Sequence, residues 1–388
     1  KFLEIGGMKS MFSIVVALFI SFIFTKMNKI FYIFFTIIFL NSCANIVAPT
    51  GGEKDTESPK LLKVTPSNLQ TNFNKNDIHF WFDEYVQFNK WEENFYISPP
   101  IEKDIKKQIK NKEVIITIND TLKVNTTHVF VLSNCVKDIN EGNVLENLNY
   151  ILSTYNHIDT LKLSGKLQDA YTLENIEKAW ILLYNIGLAD SLIFNSTPNY
   201  IAKSDKNGIF NFPNLNNYSY QLFALTEFNF IYNKGEKIAF HSRIVNAEKD
   251  SFIILNLFDP IINIDTIKAH ALAVKIDTLA SDSTKNKVLR NGKLIINTEI
   301  KSPFVFQLFQ NKKVLHEFSF LGPPYTMKEI IPGKYWLKCI VDLNADGKWN
   351  TGNLELRQKP EKVIIYVSEI TIRSNWDLEL LWDINLSE

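Results

Sequence analysis

The chain has 388 residues, which is more than one ordinary hydrophobic core needs and fits three domains of typical size. Lysine plus arginine equal aspartate plus glutamate at 42 each, so the net charge is zero and no long-range positive field attracts nucleic acid. Three cysteines are too few for a disulfide-based scaffold. We therefore expect several packed domains and no nucleic-acid partner.

An apolar run with a basic start covers residues 27–43, MNKIFYIFFTIIFLNSC. Its apolar core spans about 11 residues, whereas a helix that crosses a bilayer needs about 20. The final LNSC, residues 40–43, resembles the lipobox of bacterial lipoprotein signals. This resemblance implies cleavage before Cys43 and a lipid on that cysteine that holds the chain to a membrane. A plain secretory peptide and an N-terminal anchor are the alternatives.

The segments around this signal differ in composition. We expect residues 1–26 to be a spurious upstream extension, because Lys1 is not an initiator methionine. Residues 27–42 are then the lipoprotein signal peptide. Residues 43–58 mix proline, glycine, threonine and charged residues without apolar periodicity, which predicts a flexible tether.

Residues 59–155 contain short runs of alternating apolar and polar residues, of which DIHFWF at 77–82 is the clearest. Alternation of this kind is typical of β-strands with one buried face. Four motifs follow in order: Pro59 with Pro66, Phe82-Asp83-Glu84, Asp138 with Gly142-Asn143, and Leu152-Ser153-Thr154. Their order resembles bacterial Ig-like domains of the surface-layer type. The resemblance implies an Ig-like β-sandwich.

Residues 160–258 form a second all-β region. Its central motif contains Ser204-Asp205, Gly208, Phe210, Phe212 and Leu215, followed by Tyr220, Leu222 and Ala224. This motif resembles the transthyretin-like, carboxypeptidase-regulatory-like sandwich. The resemblance implies a turn at Asp205 and Gly208, with the strand of Tyr220 packed beside the two phenylalanines.

The last part of the chain repeats this design. Residues 259–289 are polar enough for a linker or long loop, and residues 290–388 predict a second transthyretin-like β-sandwich. The strands align on Tyr220 and Tyr335, with these further pairs: Glu227 and Asp342, Asn229 and Asn344, Tyr232 and Trp349, Gly235 and Gly352. Leu222 and Leu337 should then face a core, and Lys338 should lie on the opposite, solvent-facing side. From Cys43 onward the arrangement resembles Gram-negative lipoproteins built from an Ig-like domain and transthyretin-like units.

One loop carries the spacing of a metal site. Oxygen-bearing side chains alternate before a glycine, and the candidate ligands are Asp342, Asn344, Asp346 and Asn350. Calcium prefers six to eight hard oxygen ligands, and the glycine allows the sharp bend. The position of a bidentate carboxylate holds Asn353 instead, and Glu355 follows two residues late. The alternative is a hairpin turn whose side chains accept backbone N–H groups.

No catalytic motif stands out. The histidines lack the spacing of a zinc site, and Asp83 and Glu84 are adjacent on a strand, so they point to opposite faces. Cys135 and Cys339 sit in apolar runs and are interpreted as buried small residues. Exposed tryptophans on a β-sandwich can stack against sugar rings, whereas tryptophans in alternating strands usually pack in a core. Core packing is the favoured interpretation for Trp81, Trp91, Trp349, Trp376 and Trp382.

These observations predict an all-β chain of tandem β-sandwiches, Ig-like and then transthyretin-like, behind a lipoprotein signal peptide. We expect a non-enzymatic, lipid-anchored envelope protein with a binding or scaffolding role and no cofactor other than calcium. The alternative is a cell-surface glycan-binding or adhesin-type receptor. The expected location is the outer membrane of a Gram-negative bacterium, with envelope proteins or glycans as partners.

Overall fold

The structure is a computed structural model. It describes residues 15, 16 and 18 and the ranges 54–103, 105–186, 196–227, 230–260 and 291–386. The chain divides into two compact units, Lys1–Asp55 and Thr56–Glu388. Three predictions therefore lie outside the described residues: the signal peptide, the lipidated Cys43, and nearly all of the linker at 259–289.

The first sandwich covers residues 61–153. Its strands are β1 (Leu61–Thr65), β2 (Asp77–Phe82), β3 (Val86–Phe88), β4 (Tyr96–Ser98), β5 (Ile105–Lys110), β6 (Glu113–Ile118), β7 (Thr127–Val131), β8 (Val136–Asp138) and β9 (Asn149–Ser153), with a short helix α1 (Trp91–Asn94). The sheets have the orders β1-β2-β6-β5, β4-β7-β9 and β3-β8. Side chains of β2 and β6 pack against those of β7 and β9, which forms the core.

Sequence periodicity explains the strands of this sandwich. Ile78, Phe80 and Phe82 of β2 are buried, while the residues between them are more exposed. The turn after β8 is closed by Asp138, whose carboxylate accepts the N–H groups of Glu141, Gly142 and Asn143 at 2.6–2.8 Å. Burial raises the pKa of Asp138. The N–H donors together lower it by more than burial raises it, so the pKa lies below its usual value. The Asp-Gly-Asn motif is therefore a structural turn.

The second sandwich covers residues 161–257. Its strands are β10 (Leu161–Asp169), β11 (Trp180–Asn185), β12 (Tyr200–Lys203), β13 (Ile209–Leu215), β14 (Ser219–Leu225), β15 (Ile238–Phe240), β16 (Val245–Asn246) and β17 (Phe252–Leu257). They form sheets of order β13-β10-β17 and β12-β11-β14-β15, and β16 also pairs with β14. Their facing sides enclose one core, to which Phe210, Phe212 and Leu222 belong.

The third sandwich covers residues 292–381. Its strands are β18 (Gly292–Asn297), β19 (Phe304–Gln310), β20 (Lys313–Phe320), β21 (Tyr325–Ile330), β22 (Gly333–Val341), β23 (Val363–Ile365), β24 (Ile370–Ile372) and β25 (Asp377–Leu381). The sheets have the orders β21-β18-β25 and β20-β19-β22-β23, and β24 also pairs with β22. Tyr335, Leu337 and Cys339 lie in its core.

The second and third sandwiches have the same topology, strand for strand. In each, the first strand pairs antiparallel with the fourth and parallel with the last. The aligned tyrosines hold equivalent positions, because Tyr220 pairs with Val245 of β16 and Tyr335 pairs with Ile370 of β24. The predicted internal repeat is confirmed at the level of topology.

The aligned tyrosines also make equivalent hydrogen bonds. Each hydroxyl donates to a backbone carbonyl four residues earlier, Tyr220 to Asn216 at 3.1 Å and Tyr335 to Ile331 at 2.8 Å. Burial raises the pKa of both hydroxyls, so each stays protonated and able to donate. Leu222 and Leu337 are fully buried, as predicted.

The larger sheet of each of these sandwiches has two buried faces, which the sequence reasoning did not predict. All residues of β11 from Trp180 to Tyr184 are buried, and so are Leu337 to Val341 of β22. The inner face packs on the sandwich's own core. The outer face is covered by segments of the neighbouring sandwich, which explains the nearly continuous apolar runs of these strands.

Candidate functional site

The four predicted calcium ligands lie together in the loop between β22 and β23. Asp342 is 2% exposed, and its carboxylate accepts the N–H groups of Asp346 at 3.1 Å and Gly347 at 2.8 Å. Gly347 has a φ of +75°, a backbone conformation that residues other than glycine rarely adopt. Asp342 and Gly347 together therefore close a tight turn.

Asp346 and Glu361 complete the hydrogen bonds of this loop. The Asp346 carboxylate accepts the side-chain amides of Asn344 at 3.2 Å and Asn350 at 3.0 Å. Glu361 accepts the N–H groups of Leu343 at 3.0 Å and Asn350 at 2.9 Å, and so bridges both arms. Burial raises the pKa of Glu361, and the negative charges of Asp342 and Asp346 raise it further.

This geometry agrees with the alternative of a hydrogen-bonded turn. Within the described ranges, no group of three or more histidine, cysteine, aspartate or glutamate side chains is placed to hold a metal ion. Sequence reasoning missed Glu361, because a carboxylate 19 residues after Asp342 is outside any loop motif. Glu355, the late carboxylate, instead forms an exposed ion pair with Lys234 at 3.2 Å.

Glu361, which accepts two backbone N–H groups from separate parts of its loop, acts as a carboxylate clamp, and the second sandwich has an equivalent clamp. Glu236 accepts the N–H groups of Glu227 at 3.1 Å and Asn233 at 3.2 Å. Burial raises the pKa of Glu236, as it does for Glu361. Asn229, the aligned partner of Asn344, lies outside the described residues. The clamp is thus a shared feature of the two loops, while the acidic motif of the third sandwich is not.

Lys338 corrects a prediction. The alternation of β22 predicts a solvent-facing lysine, but Lys338 is 5% exposed. Its Nζ donates to the Tyr171 carbonyl of the second sandwich at 2.9 Å and lies 3.7 Å from the centre of the Tyr171 ring. Burial lowers the pKa of Lys338 to about 8. The second sandwich covers this face, so the outward side of β22 is an interface.

The loop after β22 contacts the second sandwich through its far arm. A Cβ on Gly352 would lie 2.7 Å from the Phe258 ring, so this position accepts only glycine without a shift. Leu354 belongs to the apolar cluster on the outer face of β11 and β14. Arg357 lies over the rings of Phe223 and Phe240, at 5.4 and 5.9 Å from their centres.

The first and second sandwiches also share buried contacts. The backbone N–H of Ile201 donates to the Ser98 hydroxyl at 3.0 Å. Lys203 donates to the Glu93 carbonyl and lies 4.8 Å from the centre of the Trp180 ring, which itself packs edge-on against Tyr96. Burial lowers the pKa of Lys203. Both joints therefore use a lysine that is desolvated beside an aromatic ring.

The aromatic candidates are mostly covered. Trp91 and Trp382 are buried, and the Trp81 ring has His79 stacked at 5.5 Å and the Lys63 ammonium at 5.2 Å. Trp376 is 59% exposed.

Cys135 and Cys339 are buried free thiols in separate sandwiches, and burial raises the pKa of both. In the described part of the chain, no helix is long and apolar enough to cross a bilayer.

Comparison with known proteins agrees with the fold of the first sandwich. Residues 55–154 match the family model of the bacterial Ig-like domain. The matched segment begins four residues before Pro59 and ends at Thr154, the last residue of the predicted motifs. The bacterial Ig-like domain thus accounts for about a quarter of the chain. No curated protein sequence matches the chain significantly.

Several solved structures align with the chain at low similarity. The Bacillus anthracis TIE protein aligns over 86% of this chain and 59% of its own, with 11% identity and a TM-score of 0.18. The N-terminal part of the bacterial S-layer protein SbsC aligns over 48% and 40%, with 14% identity and a TM-score of 0.18. BcpA, the major pilin subunit of Bacillus cereus, aligns over 52% and 71%, with 11% identity and a TM-score of 0.17. The chain thus spans about half the length of the first two.

Proposed function

We propose that this chain is a non-enzymatic, lipid-anchored envelope protein with a binding or scaffolding role. The observation that carries the proposal is the pair of buried joints. Ser98 and Trp180 lie in the first joint, and Tyr171 and Lys338 in the second. Joints of this kind hold three β-sandwiches, and the loops at their ends, in fixed positions. That arrangement suits a scaffold that presents surfaces to other envelope components.

The anchor is proposed from the sequence. The LNSC motif after a short apolar run supports lipidation at Cys43, and more than one acyl chain gives stable membrane attachment. With a tether at residues 43–58, the sandwiches would stand off the membrane surface. The proposed location is the outer membrane of a Gram-negative cell, on its periplasmic face, because no acidic run follows Cys43.

Metabolic labelling tests the anchor. Cells that express the full chain are grown with labelled palmitate, and Cys43→Ala is compared with Cys135→Ala, which removes a buried thiol of the first sandwich. We expect label in the wild type and in Cys135→Ala, and none in Cys43→Ala. Equal label in Cys43→Ala would refute lipidation at this residue.

Cross-linking in native membranes tests the scaffolding role. A scaffold should recover the same defined envelope protein in repeated captures, with recovery lost when the sandwiches are unfolded. A glycan receptor should recover polysaccharide instead, and the exposed Trp376 ring is the side chain that favours this second candidate. If polysaccharide binding is lost in Trp376→Ala and kept in Leu356→Ala, a control at a position that is 72% exposed, glycan binding replaces scaffolding as the proposed function.

Calcium binding by the loop of Asp342 is a separate proposal. Its support is that Asp342, Asn344, Asp346 and Asn350 lie in one loop, where the Asp346 carboxylate accepts the side-chain amides of both asparagines. Carboxylate oxygens keep free lone pairs beside the N–H groups they accept, through which they would bind a divalent cation.

A further inference from the structure

The second and third sandwiches cover each other reciprocally. Residues 169–174, which begin at the last residue of β10, lie on the outer face of the larger sheet of the third sandwich. Residues 349–358, after β22, lie on the outer face of the larger sheet of the second. These two segments are together named the clasp. Each is supplied by one sandwich and buries an apolar face of the other.

The first half of the clasp is held in shape by Asp169. One oxygen of its carboxylate accepts the N–H groups of Tyr171 at 2.9 Å and Thr172 at 2.7 Å. The turn directs Tyr171 and Leu173 onto an apolar cluster that contains Val305, Ile340 and Val363. The Tyr171 hydroxyl also donates to Gln307 at 2.9 Å, and Gln307 is 3% exposed. The second sandwich thus fills both the apolar and the polar positions of this face.

The second half of the clasp is held in shape at its base by Glu361. Beyond that base, Gly352 lies against the Phe258 ring and Leu354 is 8% exposed in the cluster of Trp180 and Phe223. The two halves meet where the Trp349 ring packs on the Tyr171 ring, with centres 5.0 Å apart. The clasp is therefore one continuous interface.

We propose that the clasp makes the second and third sandwiches one cooperative folding unit, which opens as a whole. Separation would expose buried outer-face side chains of both larger sheets, among them Trp180, Leu182 and Phe223 of the second sandwich and Val305, Gln307 and Ile340 of the third. It would also leave Gln307 and Lys338 without their partners on the second sandwich. Opening of the clasp therefore uncovers the outer faces of both sandwiches at the same time, rather than the face of one alone. This inference does not depend on lipid anchoring or on any partner.

Native-state hydrogen exchange, followed by mass spectrometry on the full chain, tests the clasp. The readout is the exchange rate of protected amides in β14 of the second sandwich and β22 of the third. In Leu354→Ala, a change in the third sandwich alone, we expect both sets to exchange faster by the same factor, at least about 10-fold. Leu356→Ala, at a position 72% exposed in the same loop, should change neither.

Two further variants keep the test decisive. Tyr171→Ala removes the other half of the clasp and should also accelerate exchange equally in β14 and β22. Gly352→Ala forces the loop off Phe258 and should do the same, while Gly322→Ala, where a Cβ meets nothing within 4 Å, should have no effect. Acceleration confined to one sandwich, or to residues 349–358, would overturn the proposal. A Gly352→Ala chain that does not fold leaves the decision to Leu354→Ala and Tyr171→Ala.

Discussion

Replacing Lys338 by methionine should remove a specific pH dependence of stability. Methionine keeps an unbranched apolar stem but carries no charge, so it fills the interface without the ammonium. Burial lowers the pKa of Lys338 from 10.5 to about 8 in the folded chain. Because one pKa unit corresponds to 1.36 kcal/mol, the buried ammonium costs about 3 kcal/mol at neutral pH.

The sign follows from proton binding. Between about pH 8 and 10.5 the unfolded chain keeps the Lys338 proton while the folded chain has released it, so the unfolding free energy rises with pH in this window. Below about pH 8 Lys338 is protonated in both states, so it causes no change of the unfolding free energy with pH, and the cost of the buried ammonium is constant. Burial raises the pKa of Tyr171, so its hydroxyl stays protonated and continues to donate to Gln307.

Urea unfolding at about pH 7.5 and about pH 10 measures the effect. We expect the wild type to gain about 2 kcal/mol relative to Lys338→Met between these pH values. Lys334→Met is the matched control, because Lys334 lies on the same strand with a side chain that is 70% exposed. A wild type and a Lys338→Met chain with the same pH dependence would refute the assignment of a buried, desolvated ammonium.

Three other predictions concern single positions. Leu337→Ala should lower the unfolding free energy by about 2 to 5 kcal/mol in urea titrations, because it leaves a cavity in a full core, whereas Leu343→Ala, at a position 77% exposed, should change it little. Calcium bound at the Asp342 loop would raise the unfolding free energy by about 2.7 kcal/mol at a hundredfold excess over Kd, and Asp346→Asn would reduce that rise. If calcium leaves the melting temperature unchanged, calcium binding is refuted and the loop is a hydrogen-bonded turn. The pKa of Asp138 in the folded chain lies below the usual 3.8, so the stability that its carboxylate contributes is present above pH 3.8 and is lost as the pH falls through the folded pKa. Acid unfolding followed by circular dichroism should therefore show a smaller loss of stability with falling pH in Asp138→Asn than in the wild type.

The strand pattern was predictable because it depends on local alternation. The strand of Tyr220 and the strand of Tyr335 repeat the same spacing of apolar residues, and a period of two places Leu222 and Leu337 on one face without reference to the rest of the chain. The all-β class and the shared topology of the two later sandwiches follow from these local signals.

The outer faces were not predictable in the same way. Strand alternation predicts that the face of Lys338 is exposed. The contact with Tyr171, which lies 167 residues earlier, buries this lysine instead. Glu361 was missed for the same reason, since it reaches Leu343 and Asn350 across a loop. Long-range contacts of this kind leave no periodic signal. The Asp342 motif was found correctly as a loop, but its spacing cannot distinguish a cation from backbone N–H groups, because both bind the same carboxylate oxygens.

Amine labelling of the native full chain tests most directly the claim that the sandwiches are joined through buried faces. A lysine-reactive ester is applied at neutral pH, and labelled positions are read by mass spectrometry. We expect Lys334 to be modified quickly and Lys338, which is 5% exposed beneath Tyr171, to be modified only after denaturation. Modification of Lys338 in the native chain at the rate of Lys334 would contradict the account.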